Sequence, residues 1–326
     1  MSMIPELIGI GSPLVDLLLT VDDDFIANHA GGDKGGMKMV GAEHIDQLAA
    51  WSKRPPARAP GGAAANTTVG AANLGVRAAF IGCVGADEFG QYYRDSLARQ
   101  GCGDRLITVD QPTGRVLSLI TPDAQRTMRT CLGAAACLAP EAVSRDWFAG
   151  ARVAVVEGYL LFNHDLARTV IDAAHGAGAA VALDFASFEV VHANREVIAD
   201  LLPKVELAFV NEDEATAWHQ AGPEAALADL ADRVELAAVK LGKDGALIAR
   251  GSERVRVAAE TVAAVDTTGA GDCWAAGFLA AWLRGLDLER CGRTAALAGA
   301  AAVTTMGAQP AREDWLRVKG YLDAWA

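Results

Sequence analysis

The run Ala264-Val265-Asp266-Thr267-Thr268-Gly269-Ala270-Gly271-Asp272, followed by CWAAGFLAAWL, holds the residues best suited to chemistry. An apolar strand end is expected to pass through a Gly-Ala-Gly turn into a helix that is apolar on nearly every face. Such a helix must be buried, with its N-terminus aimed into the protein. The free N–H groups at Gly269, Ala270 and Gly271, with the helix dipole, make a site suited to phosphate. Two glycines let the backbone approach an anion closely. Asp272 falls in the first turn, where its carboxylate could take a proton from an attacking alcohol or could cap the helix. The residues alone leave both readings open.

Other segments offer polar groups for which the residues alone favour a structural role over a functional one. In Pro60-Gly61-Gly62-Ala63-Ala64-Ala65-Asn66, two glycines expose backbone at a helix start and Asn66 lies about one turn in. These groups suit a polyol, but the many alanines favour a tightly packed helix. Asn211-Glu212-Asp213-Glu214 follows the apolar run LAFV and resembles a capping box; carboxylates at a sheet edge can also hold hydrated magnesium. In Val239-Lys240-Leu241-Gly242-Lys243-Asp244-Gly245, Asp-Gly favours a hairpin turn, and the alternative sets Gly242 against a nucleotide. Asp16 interrupts the apolar run VDLLL, so it must face solvent, a partner or a ligand hydroxyl. Arg126 and Arg129 are either surface charges or phosphate ligands.

Several chemistries are excluded. The sequence contains no GxxxxGK[ST], no HRD and DFG pair, no GxGxxG, no HExxH and no GxSxG. A net charge of -12 argues against a nucleic-acid partner. The six cysteines show no CxxC spacing and read as small hydrophobes in a reducing compartment. The N-terminus lacks a basic signal region, and no run of 18 uncharged apolar residues occurs, so a cytoplasmic protein without a membrane partner is expected.

These groups must be positioned by an α/β framework. Short apolar runs (ARVAVVEG, AAVALDF, VELAFV, LAAVKL) alternate with helical segments from Arg152 onward, the pattern of a mostly parallel, doubly wound sheet. One bent strand is expected from Glu6 to Thr20, then a short helix capped by Asp22, a helix over 42–51 and a Pro/Arg loop. A helix from Gly62 to Gly75, a strand over 77–84 and a helix over 87–100 follow. Three helices close the chain. The β-rich segments at about 12–20, 36–41 and 106–131 fit this alternation poorly, and are expected to form a small sheet over the carboxyl ends of the parallel strands, where ligands bind in such folds.

Taken together, GGAAANTTVGAANLG and VDTTGAGDCWAAGF resemble the two signatures of the ribokinase-like (PfkB) carbohydrate and nucleoside kinases. The resemblance runs from about Leu7 to Gln309. It implies a single α/β/α kinase domain over 1–326 with a β-sheet lid, Mg-ATP as donor and transfer to a hydroxymethyl group. By it, Asp272 is the catalytic base and Gly269, Ala270 and Gly271 supply the anion hole. Asp16, Gly61, Gly62 and Asn66 match sugar-binding positions. Asn211 and Glu214 match an NxxE element that organises magnesium, through water at Glu214. Lys240, Gly242 and Gly245 match a nucleotide loop, with Thr268 and Gly271 beside it, although Lys240 stands where Thr or Ser is frequent. Asp266 resembles a monovalent-cation position, which would hold K+.

Within the family, GIGSPLVDLLLTVDDDFIANH and GRVLSLITPDAQRTMRTCLGAAA are most similar to the adenosine kinase branch, where Arg126 matches a phosphate-reaching arginine. Ser12 departs from the Asn common there. The resemblance therefore implies a ribonucleoside acceptor, adenosine first, with a free pentose or hexose as the alternative. A non-catalytic sensor on the same fold is the competing class. A monomer or a homodimer is expected.

Overall fold

The computed structural model describes residues 4–31, 33–52, 54–123 and 125–325. The apolar runs form strands buried on both faces, as a parallel sheet covered by helices requires. One nine-stranded sheet runs, in spatial order, Glu253–Val257, Ala246–Arg250, Leu236–Lys240, Leu207–Asn211, Ala180–Asp184, Val153–Glu157, Leu7–Ile10, Ala78–Ile81 and Gly103–Asp104. Pairing is parallel from Leu236–Lys240 to Gly103–Asp104, and the first two strands are antiparallel. Helices Ala63–Asn73, Glu88–Arg99, Ala270–Leu283, Leu288–Val303 and Arg312–Asp323 cover one face. Helices His164–Gly176, Phe188–Leu201, Glu212–Trp218 and Pro223–Ala231 cover the other. Leu7–Ile10 pairs with Ala78–Ile81 on one side and Val153–Glu157 on the other, so the winding reverses there. Crevices at such reversals open at the carboxyl ends of the strands.

A second sheet of five strands runs Met37–Met39, Arg126–Cys131, Gly114–Ile120, Leu14–Thr20 and Ala57–Gly61. Val15, Leu17, Leu19, Leu117 and Leu119 are buried in one cluster with Ile45 and Leu48 of helix Ala42–Trp51. Burying a leucine fully contributes about 1.5–3 kcal/mol, so this face holds the sheet together. Strand alternation then sets Asp16 on the opposite face.

The opening segment differs from the single bent strand expected. Leu7–Ile10 lies in the large sheet and Leu14–Thr20 in the small one, because Pro13 has no N–H to carry a ladder through the bend. Ala57–Gly61, within the expected Pro/Arg loop, is an edge strand, the one place in a sheet that tolerates Pro60. Residues 77–84 split at Gly82: Cys83–Gly85 pairs with Ile107–Val109 in a separate two-stranded sheet, which keeps 107–109 out of the five-stranded one. The turn at Gly242–Asp244 joins two antiparallel strands, as the Asp-Gly pattern suggests. No helix among the described residues is long and apolar enough to cross a membrane.

Candidate active site

The crevice collects side chains from the carboxyl ends of successive strands. Asp16 projects from the small sheet toward Gly61, where an added Cβ would lie 2.6 Å from Asp16 Oδ2. Gly62 has φ 103°, and a Cβ there would meet the Ser12 carbonyl at 2.3 Å. Glycine is therefore required at the junction for both space and backbone conformation. Burial pushes the Asp16 carboxyl up to about 6, with Arg126 pulling the other way. Beneath it Glu157, at the end of Val153–Glu157, is buried; its Oε1 accepts from Ser12 N (3.3 Å) and its Oε2 from Ala64 N (3.1 Å). Burial pushes Glu157 up to about 7 against those hydrogen bonds.

Asn66 extends this edge to the anion-binding turn. Its Nδ2 donates to Asp272 Oδ2 at 2.9 Å, and Thr67 Oγ1 donates to the Asp272 carbonyl at 3.2 Å. Gln309 Nε2 steadies Asn66 by donating to its carbonyl at 3.1 Å. The segment before the turn forms no strand; Val265 N and Asp266 N instead donate to the Val303 carbonyl. Gly269 has φ 73° and is packed against the Ala308 carbonyl, leaving no room for a side chain. Ala270 N–H turns back to Thr267 O at 3.3 Å, and the first helical bond runs from Cys273 N to Gly269 O. The N–H groups of Gly271 and Asp272 therefore lie ahead of that bond, at the positive end of a buried helix. Burial and repulsion from Asp184 push the Asp272 carboxyl up to about 7, although Asn66 and Lys240 favour its charge.

Lys240 and Asp184 form a buried ion pair of 2.9 Å. Burial opposes the ammonium charge, but Asp184, Glu214 and Asp272 outweigh it and hold the lysine above its ordinary value. Asn211 and Glu214 complete the capping box: Asn211 N donates to Glu214 Oε2 (2.8 Å), Asn211 Nδ2 to Oε1 (2.7 Å), and Glu214 N to Asn211 Oδ1 (2.8 Å). Burial and Asp184 push Glu214 up to about 7, with Lys240 moderating the rise. Ala186, beside this cluster, has φ 66° and donates its N–H to Asp184 Oδ1 at 2.9 Å. A left-handed alanine costs energy and tends to occur where a site over-determines the backbone.

At the opposite rim, Arg126 reaches from the small sheet to Thr268 Oγ1 (2.8 Å) and Asp266 Oδ2 (2.8 Å). Asp266 also accepts from Thr268 N, Thr268 Oγ1 and Gly307 N. Arg129 is not at the site: it is buried, and spends its guanidinium on the carbonyls of Ala30, Gly31 and Met128. Beside the anion-binding turn lies a largely apolar cavity of about 300 Å³, whose lining includes Lys240, Gly242, Gly245, Val257, Gly271 and Trp274.

The structure thus brings together Ser12, Asp16, Gly61, Gly62, Asn66, Asn211, Glu214, Lys240 and Asp272. Sequence reasoning missed Glu157, Asp184, Gln309 and Trp274. The first two carried a signal, because each acid closes an apolar run that reads as a buried parallel strand.

The model of the pfkB family of carbohydrate kinases matches residues 54–315. Among solved structures, the chain is similar to adenosine kinase from Sinorhizobium meliloti, with a TM-score of 0.87 and 34% identity, covering 98% of this chain and 99% of that one. A probable sugar kinase from Rhizobium etli CFN 42 gives a TM-score of 0.87 and 32% identity over 98% and 99% of the two chains. An ATP-dependent ribose-1-phosphate kinase from Halopiger xanaduensis is 30% identical, over 80% of this chain and 86% of that protein. The chain belongs to the pfkB family of carbohydrate kinases, and is an ATP-dependent kinase of nucleosides or sugars with the ribokinase-like fold.

Proposed function

We propose that the chain transfers the γ-phosphoryl group of ATP to the hydroxymethyl group of a ribonucleoside, with adenosine the first acceptor. The observation that carries the mechanism is the 2.9 Å contact of Asn66 with Asp272, which joins the edge bearing Asp16 to the anion-binding turn. Asp16, the Gly61 and Gly62 backbone, Ser12 and Asn66 would hold the sugar hydroxyls. Asp272 would take the proton of the attacking hydroxyl as that oxygen bonds to the γ-phosphorus and the bond to the β–γ bridging oxygen breaks, releasing ADP. The N–H groups of Gly271 and Asp272, left free because Ala270 N–H turns back to Thr267 O, would meet the charge on the moving group, while Gly269 and Ala270 shape the turn. Asn211, Lys240, Gly242, Gly245 and Thr268 would hold the nucleotide, its base in the apolar cavity.

Magnesium bound with ATP would neutralise phosphate charge. The residues fit it, since the acids Asp184, Glu214 and Asp272 outnumber Lys240, and Glu214 and Asp184 would hold its hydration shell. The small sheet, acting as a lid within one kinase domain, would exclude water. Arg126 would bring positive charge to the anion-binding turn. The nucleoside reading is supported by similarity to an adenosine kinase along nearly the whole chain, small sheet included. Leu14 and the exposed Leu132 offer apolar cover for a base.

A second reading, a free sugar, is supported by an equal likeness to a probable sugar kinase along nearly the whole chain. Comparing kcat/KM for adenosine, inosine, cytidine, ribose and fructose tests both. A free sugar that outperforms every nucleoside overturns the first reading. No turnover with any acceptor would point instead to a sensor.

A further inference from the structure

Asp266 and Arg126 form an ion pair between two parts of the molecule that are far apart in sequence. Asp266 sits in the loop that precedes the anion-binding helix, with its side chain 6% exposed, and Arg126 begins a strand of the small sheet. The carboxylate has two oxygens with about four lone-pair directions between them. Oδ1 accepts from Thr268 N (3.0 Å) and Thr268 Oγ1 (2.8 Å), and Oδ2 accepts from Arg126 Nη2 (2.8 Å) and Gly307 N (2.9 Å). All four directions are taken, and one donor is a guanidinium, which keeps its charge at any working pH. A potassium ion requires free oxygen lone pairs, so these residues do not fit a cation at Asp266.

The structure assigns Arg126 as the resident counter-ion of Asp266, in the place of a monovalent metal ion, so that the kinase works without potassium. Arg126 acts here as a positioning residue. Through Asp266 it fixes the Thr268 N–H and the Gly307 N–H. Those residues flank the turn at Gly269, which is pressed against the Ala308 carbonyl. The charge that a bound ion would supply from solution is carried by the small sheet, so the presentation of the anion-binding N–H groups depends on that sheet's position. The inference rests on the kinase reading only for its activity arm.

The test compares full-length wild type, Arg126→Met and the Arg126→Met/Asp266→Asn double variant in choline, sodium and potassium chloride at equal ionic strength. Turnover is measured with the best acceptor, and thermal melting without any substrate. Wild-type turnover is expected to stay within about twofold across the salts, since equal ionic strength leaves screening unchanged. Arg126→Met is expected to fall about tenfold or more in choline, because a buried carboxylate loses its partner, and to recover saturably with sodium or potassium. Its melting temperature should rise with the same ions while that of wild type does not. The double variant should lose both responses. Wild type that needs potassium, Arg126→Met that ignores every cation, or a double variant that still responds would each overturn the assignment. If Arg126→Met fails to fold, the wild-type salt series decides alone. If no acceptor turns over, the kinase reading fails and melting still tests the counter-ion.

Discussion

Asp266 and Asp272 lie in one segment, six residues apart, yet they are held in opposite states. Burial raises both. At Asp266, donors from Gly307, Arg126 and Thr268 overcome it and bring the carboxyl down to about 2. At Asp272, repulsion from Asp184 adds to burial, the Asn66 and Lys240 contributions are weaker, and the carboxyl stands at about 7. The difference lies in what surrounds each group. A carboxylate saturated with donors is fixed in its charge and serves structure; one short of donors can exchange a proton near neutrality.

The largest expected effect breaks the reactive member of the pair. Asp272→Asn should lower kcat by about 10²–10⁴-fold while ATP binding, followed by calorimetry, persists. Near-normal kcat would leave Asp272 as a helix cap. In wild type, kcat should rise with pH through about 7, as Asp272 gives up its proton and becomes a competent base. A profile flat from pH 5.5 to 8.5 would contradict that assignment.

Asp16→Ala should weaken every ribose-containing acceptor, by about 10–100-fold in kcat/KM, the cost of a lost buried hydrogen-bonding partner. A loss confined to one acceptor would mean that Asp16 does not read the ribose. Glu214→Gln should raise the magnesium concentration needed for half-maximal rate more than it raises KM for the acceptor. Lower thermal stability with an unchanged magnesium titration would assign Glu214 to the capping box alone.

The smallest effect, and the sharpest form of the comparison, is in stability. A carboxyl raised in the fold makes the folded state hold its proton between about pH 4 and 7, so its contribution falls as pH rises through that window. Asp272→Asn removes that cost, and its melting temperature should exceed that of wild type by more at pH 8 than at pH 5. Asp266 is depressed, so its contribution is present above about pH 4 and is lost only as pH falls toward 2. Asp266→Asn should therefore lower the melting temperature at pH 8, by about 2–4 °C. One substitution type at two neighbouring positions should move stability in opposite directions. Shifts of the same sign would erase the distinction.

Much of this arrangement was legible in the sequence, and the reasons are local. The DTTGAGD turn and the GG junction declare themselves because a positive φ and a close approach leave glycine as the residue that fits, as Gly269 and Gly62 show. The alternation of short apolar runs with helices reads directly as a parallel sheet. Glu157 and Asp184 were harder to see, since a single acid ending an apolar run acquires meaning only when parallel pairing brings Glu157 opposite Asp184. The pairing of Arg126 with Asp266 and of Gln309 with Asn66 leaves no local trace, because each spans more than a hundred residues. Ala57–Gly61 was masked by Pro60, which an edge strand tolerates and a central one does not.

The small sheet joins the rest of the chain at four places: between Ile10 and Leu14, at Gly61–Gly62, between Pro112 and Gly114, and after Cys131. Two of these lie against each other, since a Cβ on Gly133 would come within 2.1 Å of the Pro112 carbonyl. Mechanically this is a plate carried on several short links rather than a flap on one hinge. A plate so mounted can tilt but cannot slide or twist freely, and its tilt reaches Asp16, Arg126 and the Gly62 junction together. The same mounting makes the sheet a poor cassette for engineering. Its five strands come from two separate stretches of chain, so a graft that moves one stretch without the other would leave strand Leu14–Thr20 without its partner Gly114–Ile120.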